Sequence, residues 1–371
     1  MRRGKASAAL PKGRAEVTRT PVRLGWPAVL LLTSGTAALV YQVLWIRQLS
    51  LVVGVDVHAV SLGVGAFFAG LAAGGWLFGR WADRVAQPWR LYAALELAAG
   101  VLGLAVTLGL GAIAVPFAWL EARIGPPAWL LPLLLVALPA TLLGGTLPVL
   151  MRTLRPLIEQ RGWAGGRLYA ANTLGAIAGT LLAAFCFIPW FGLRGSALVA
   201  AVLNGLVAVA AWMLAARAAA QVHTPGDATP DAPAAAQAAA PAAGQEARAR
   251  QARLAVVLYA IAGGLALGYE VVWSQAIVQF ISTRSVAFAI VLATYLFGLM
   301  LGSAWIARRA DRLTDPWGVF AVLISSAGAL ALLEVALLGD WLLQLQSLAS
   351  QWARGATGSL LAAMCARFAT A

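Results

Sequence analysis

Apolar residues run through this chain in stretches of about twenty or more, separated by short segments rich in arginine, proline or glycine. Within the stretches, Leu, Ala, Val and Gly continue around every face, without the two-residue alternation of a half-buried strand. A hydrocarbon core about 30 Å thick takes about 20 residues of helix to cross. The pattern therefore predicts spanning helices at about 26–49, 57–79, 91–114, 128–150, 168–190, 195–216, 254–279, 285–307 and 317–338. A transmembrane barrel would instead alternate over segments of about 10 residues. The last apolar stretch, Leu360–Ala371, is short and contains Arg367, so it predicts a tenth helix that stops partway. The expected fold class is all-α: a polytopic membrane helix bundle of nine full transmembrane helices and a truncated tenth.

Polar segments divide the chain into four parts. Residues 1–25 form a basic, proline-containing tail expected to be disordered, and 26–216 hold six helices. Residues 217–252 are an Ala/Pro-rich linker, and 253–371 hold the second, shorter set. The first apolar run exceeds the 7–15-residue core of a signal peptide and reads as an uncleaved helix. Composition agrees with a membrane protein: 61% of residues are hydrophobic and 11% charged, against about 25% charged in soluble domains. The net charge of +13 is not gathered into a basic stripe with interleaved aromatics, so no nucleic-acid partner is expected. With the N-terminus in the cytoplasm, 21 of the 27 Lys and Arg fall in cytoplasmic segments, as the positive-inside rule requires.

The two sets of helices repeat each other. A shift of 228 residues lays Tyr41, Val43 and Trp45 on Tyr269, Val271 and Trp273, and Gly70, Leu71 and Gly74 on Gly298, Leu299 and Gly302. The same shift lays Arg80, Ala82, Asp83 and Arg84 on Arg308, Ala310, Asp311 and Arg312, and between 35 and 84 there are 14 identities in 50 positions. Six helices and a cytoplasmic linker separate the copies, so both start on the same side. Two parallel repeats of this kind match the halves of major-facilitator transporters, in which a site lies between the halves.

Candidate chemistry is sparse. Glu270 lies inside the seventh helix, and ionisable groups at membrane depth usually face a partner or a watery cavity. It can bind a cation or carry a proton; equally, it can be a structural carboxyl bonded to Gln275 or Asn172. Its repeat mate is Gln42. Tyr41, Tyr269, Trp45, Trp273 and Asn172 complete the candidate substrate-binding set, with Glu96 and Glu334 as weaker acidic candidates nearer helix ends. Arg80, Asp83, Arg84 and their counterparts Arg308, Asp311 and Arg312 suit either a gating ion-pair cluster or topogenic charge with a local ion pair. Gly70, Gly74, Gly298 and Gly302 form small-xxx-small packing motifs, static or sliding. Pro139, Pro148, Gly144 and Gly145 are expected to interrupt the fourth helix, as a hinge, a site element or a plain kink. With two histidines, two apolar-segment cysteines and no ligand spacing, no catalytic residue, metal site or cofactor is expected.

These segments resemble one known family, the membrane half of bacterial fused major-facilitator/spermidine-synthase-like proteins. The resemblance rests on Ser34–Trp45, Gly70–Arg84, Pro139–Pro148, Gly166–Gly175, Tyr269–Trp273 and Gly298–Arg312. It implies a multi-pass protein of the bacterial inner membrane, followed by an aminopropyltransferase-like domain that is outside this chain. Where the family has Tyr-Glu in its first helix this sequence has Tyr41-Gln42, which leaves Glu270 as the one acidic member of the pair. The implied function is a transporter-like module of polyamine (spermidine) metabolism that moves or channels a polyamine-like cation. The alternative is a membrane anchor or scaffold for a spermidine-synthase-like aminopropyltransferase. The implied partners are the lipid bilayer, such a cation and such a domain.

Overall fold

The structure, a computed structural model, describes residues 25–54, 56–154, 161–222, 242–278, 284–307, 314–337, 340–359 and 362–363. All regular structure among them is helical, the form in which a segment satisfies its own backbone groups inside lipid. The chain begins with α1 (Gly25–Val53), α2 (Asp56–Ala82) and α3 (Pro88–Gly109), then a short α4 (Ala114–Ile124) and α5 (Leu130–Leu154). Next come α6 (Arg161–Leu182) and α7 (Ile188–Val222), joined by a π-helical turn at Ala183–Phe187. The remainder is α8 (Ala242–Val278), α9 (Arg284–Ala307), α10 (Pro316–Leu337) and α11 (Asp340–Thr357).

Eight helical segments are long and apolar enough to cross a membrane, which makes this a multi-pass membrane protein. The fifth, Gly165–Arg217, combines α6 and α7 and is broken at Gly192, whose φ of 67° lies in the left-handed region that glycine tolerates. On either side of the break, 165–191 and 193–217 each exceed the length of one crossing. The tenth helix expected over 360–371 falls almost entirely outside the described residues.

Three features differ from the sequence expectation. Pro139 and Pro148 do not interrupt the fourth span: α5 runs continuously through both, held along its length by α2 and α3. The Ala/Arg/Gln run before the seventh span is helical from Ala242, because its Ala, Arg, Glu and Gln are strong helix formers. Outside the predicted spans, α4 and α11 are additional helices, each followed by a glycine of positive φ, Gly125 (65°) and Gly358 (64°).

Spans α1 to α7 form the packed body. There α1 pairs with α6, α2 with α5, and α3 with α7 and α5, while α1 also touches α2 and α7. Glycines set the seams. A Cβ on Gly74 would collide with the Thr141 carbonyl, and one on Gly144 with the Leu71 carbonyl, so α2 and α5 meet backbone to backbone. Gly175 and Gly179 of α6 press in the same way on Leu32 and Thr36 of α1. In hydrocarbon, where apolar side chains gain nothing by leaving lipid, such close approach is the main source of helix attraction.

Burial falls steeply along the chain. The apolar window of α1 is 78% buried, that of α8 6% and that of α10 0%. Of the later helices, α9 rests on α6 and α8.

Candidate functional site

Two polar groupings lie inside the packed body, both built on α1 and α3. In the first, Tyr41 Oη donates to the Gly100 carbonyl (3.1 Å), Trp45 Nε1 to Thr107 Oγ1 (2.9 Å) and Gln48 Nε2 to the Thr107 carbonyl (2.7 Å). Tyr41 and Trp45 stack at 5.3 Å, and the Tyr41 ring fills the space left by the absent side chain of Gly103. Both aromatics are fully buried. Their polar atoms are thus engaged in fastening α1 to α3.

The second grouping is centred on Glu96, which is fully buried in α3 and accepts a 2.8 Å hydrogen bond from Asn204 Nδ2 of α7. Ser34 of α1 and Tyr92 of α3 lie near the same carboxyl, but the Tyr92 hydroxyl and the second Glu96 oxygen make no hydrogen bond among the described residues. Sequence reading ranked Glu96 low and missed Asn204 altogether. The available signal was an ionisable residue and an amide, each inside an apolar run.

Gln42 and Glu270 have a different environment. Gln42 is 1% exposed and Glu270 2%, and neither amide atom of the first nor carboxyl oxygen of the second has a hydrogen-bond partner among the described residues. They are therefore not bonded to each other, and neither Gln275 nor Asn172 bonds the carboxyl. Around Glu270, α9 contributes Tyr295, which is within electrostatic reach of Glu270 and also of Tyr169 of α6 and Tyr259 of α8. None of these three tyrosines belonged to the candidate binding set. Of those that did, Tyr269 is 42% exposed, Trp273 is half-buried, and Asn172 lies in the α1–α6 seam against Gly35.

At the basic end of the body, Asp83 pairs with Arg152 of α5 (3.3 Å), and Arg80 lies over the Trp76 ring at 4.2 Å. Gly79, Asp83, Pro148, Met151 and Arg152 border a cleft of about 380 Å³. Arg84 is exposed at the end of the same helix, whereas Arg308, Asp311 and Arg312 lie outside the described residues. Gly70 and Gly74 are packed into α5; Gly298 and Gly302 have open space where a side chain would be. Glu334 is exposed on α10.

Among the described residues no group of three or more His, Cys, Asp or Glu is placed to hold a metal ion. What the arrangement offers is charge: a carboxyl in a spanning helix, without a partner among the described residues, can neutralise a cation or hold a proton.

No family model matches the sequence, and no solved structure matches it. Among curated proteins, the chain is 30% identical over 194 residues to the polyamine aminopropyltransferase of Corynebacterium efficiens, covering 50% of this chain and 35% of that protein. It is 31% identical over 202 residues to the polyamine aminopropyltransferases of Mycobacterium tuberculosis and Mycobacterium bovis, covering 51% of this chain and 36% of each. Half of this multi-pass helical chain is thus a distant homologue of about one third of the length of polyamine aminopropyltransferases.

Proposed function

We propose that the chain is a transporter-like membrane module associated with polyamine metabolism, which takes up a polyamine-like cation at Glu270. The observation that carries this reading is the burial, inside a membrane-spanning helix, of a carboxyl whose two oxygens have no hydrogen-bond partner among the described residues. Such a group is costly in lipid and is retained where it neutralises a cation or relays a proton. The similarity to polyamine aminopropyltransferases supplies the class of cation.

The arrangement of the helices supports the transporter-like part. Numbering the spans of the packed body one to six, the pairs are one with five, two with four and three with six. Exchanging the first three spans for the last three leaves this set unchanged, as inverted three-helix units nested in a major-facilitator half would require. The proposed parallel repeat gains support from helix starts: α2 and α9 begin at Asp56 and Arg284, and α3 and α10 at Pro88-Trp89 and Pro316-Trp317, both 228 residues apart. In this reading the basic end is cytoplasmic and the membrane is the bacterial inner membrane.

The test is uptake of radiolabelled spermidine and putrescine into proteoliposomes holding the purified chain. Wild-type protein is expected to accumulate label under a membrane potential, and Glu270→Gln to reduce the rate by about ten-fold or more, the effect of removing a buried charge that a cation would need. Absence of uptake by the wild type would remove the proposal.

A second reading, as anchor or scaffold for an aminopropyltransferase, is favoured by one observation: the matched region is only 35–36% of the length of the relatives. It predicts that aminopropyl-transfer activity fractionates with membranes when the chain is present and becomes soluble when its gene is deleted. Activity that is soluble in both cases would exclude it.

A further inference from the structure

One hydrogen bond explains only half of the contact between Glu96 of α3 and Asn204 of α7. Asn204 Nδ2 donates to Glu96 Oε2 at 2.8 Å. The other atom of each group, Glu96 Oε1 and Asn204 Oδ1, is buried without a hydrogen-bond partner among the described residues. A carboxylate oxygen and an amide oxygen are both acceptors, and neither can satisfy the other. Were the carboxyl ionised, two bare acceptors would be left at one buried contact, and a negative charge would be enclosed with a single amide donor to hold it. The side chains near the carboxyl are Ser34, Asn204 and Tyr92, none of them basic.

Packing limits what can complete the contact. Glu96, Asn204 and Tyr92 are all fully buried. One turn after Glu96, a Cβ on Gly100 would stand 3.0 Å from Asn204 Cβ, so α3 and α7 already touch at this level. A hard metal ion such as Ca²⁺ or Mg²⁺ takes about six oxygens or more. The side chains near Glu96 offer its own carboxyl, one amide oxygen and two hydroxyls. A proton needs no such shell and turns one of the two facing acceptors into a donor. Tyr92 lies one turn before Glu96 on the same face of α3. Its hydroxyl can give or accept a hydrogen bond, so it does not compete for that proton in the way a third acceptor would.

We infer that Glu96 is a proton-binding site: its Oε1 carries a proton and donates it to Asn204 Oδ1, so that the carboxylic acid and the carboxamide close a ring of two hydrogen bonds between α3 and α7. Both buried acceptors are then satisfied and no charge is left in the packed body at this level. Glu270 has no amide bonded to either of its oxygens among the described residues, and therefore no such closure. The two carboxyls thus differ in kind, and the proton site on Glu96 stands or falls apart from the Glu270 reading.

Infrared spectroscopy of the purified chain in lipid nanodiscs, with glutamate ¹³C-labelled at the side-chain carboxyl, tests this. A protonated carboxyl shows a carbonyl band that an ionised one lacks. The wild type minus Glu96→Gln difference spectrum at pH 7 is expected to show that band, shifted by the label; glutamine has the shape of the protonated acid, so the variant keeps the fold. Asn204→Leu, which removes the donor to Glu96 Oε2, is expected to move the band to higher wavenumber, and Tyr92→Phe to leave it in place. A difference spectrum without the band means that Glu96 is ionised and overturns the proposal. A band that Asn204→Leu does not move, or that Tyr92→Phe moves as far, overturns the acid–amide ring. A band that appears only when sodium is removed from the buffer assigns the site to a metal ion and overturns it as well.

Discussion

Glu96 and Glu270 are two buried carboxyls in spanning helices with opposite surroundings. Glu96 is held by Asn204 and flanked by Ser34 and Tyr92, so it fastens α3 to α7. Asn204→Leu removes the donor while the acceptor stays buried, and is expected to destabilise the protein by about 1–2 kcal/mol, as for interhelical hydrogen bonds in membranes. Thermal unfolding in detergent measures it, and Glu96→Gln combined with Asn204→Leu should cost less than the two singly summed. If Asn204→Leu melts with the wild type, the bond does not fasten these helices. Glu270 was legible in the sequence because an acid in an oily run stands out. Asn204 was not, since the pair is separated by 108 positions and only folding brings it together. Tyr41 and Trp45 show the opposite limit: their spacing revealed a shared motif with Tyr269 and Trp273, but not that their polar atoms are bonded to α3.

For the helices, apolar run length was sufficient to place the spans among the described residues, because hydrocarbon thickness fixes the length and continuous apolar runs lack the alternation of a barrel strand. The short additional helices α4 and α11 escaped notice, being too brief or too mixed in polarity to register as crossings. The glycine motifs were legible as motifs, yet their neighbours were not: Gly70 and Gly74 lie on α5, whose own Gly144 and Gly145 complete the seam. Contrasting fates follow for equivalent substitutions. Gly74→Ala drives a methyl into the Thr141 carbonyl and is expected to cost about 1–3 kcal/mol, the range of overpacked cores. Gly302→Ala enters open space and is expected to be neutral or to gain about 0.5–1 kcal/mol from its better helix propensity. Melting temperatures of the two variants in one detergent decide the matter; a loss at Gly302 equal to that at Gly74 would show that the two helices are packed alike.

Among the described residues, connections between spans collect at two ends, one carrying Arg80, Arg84, Arg90 and Arg152, the other Arg123. The proposed orientation puts the first end in the cytoplasm. Cysteines introduced at Gly125 and Gly358 are then expected to react with a membrane-impermeant maleimide added to intact cells, and cysteines at Gln87 and Asp315 only after lysis; the reverse pattern would invert the topology. A cysteine at Gly192 would be a poor third reporter. There the chain reverses between two crossings without a loop, at a corner only glycine bends easily, and Trp190 and Phe191 beside it are 74% and 54% exposed. Amphipathic indole rings such as that of Trp190 settle at the level of the lipid headgroups. At that corner the protein offers the neighbouring compartment no tail to grip: a protease finds no strand to cut, an antibody no epitope to raise, and an engineered tag no slack to occupy.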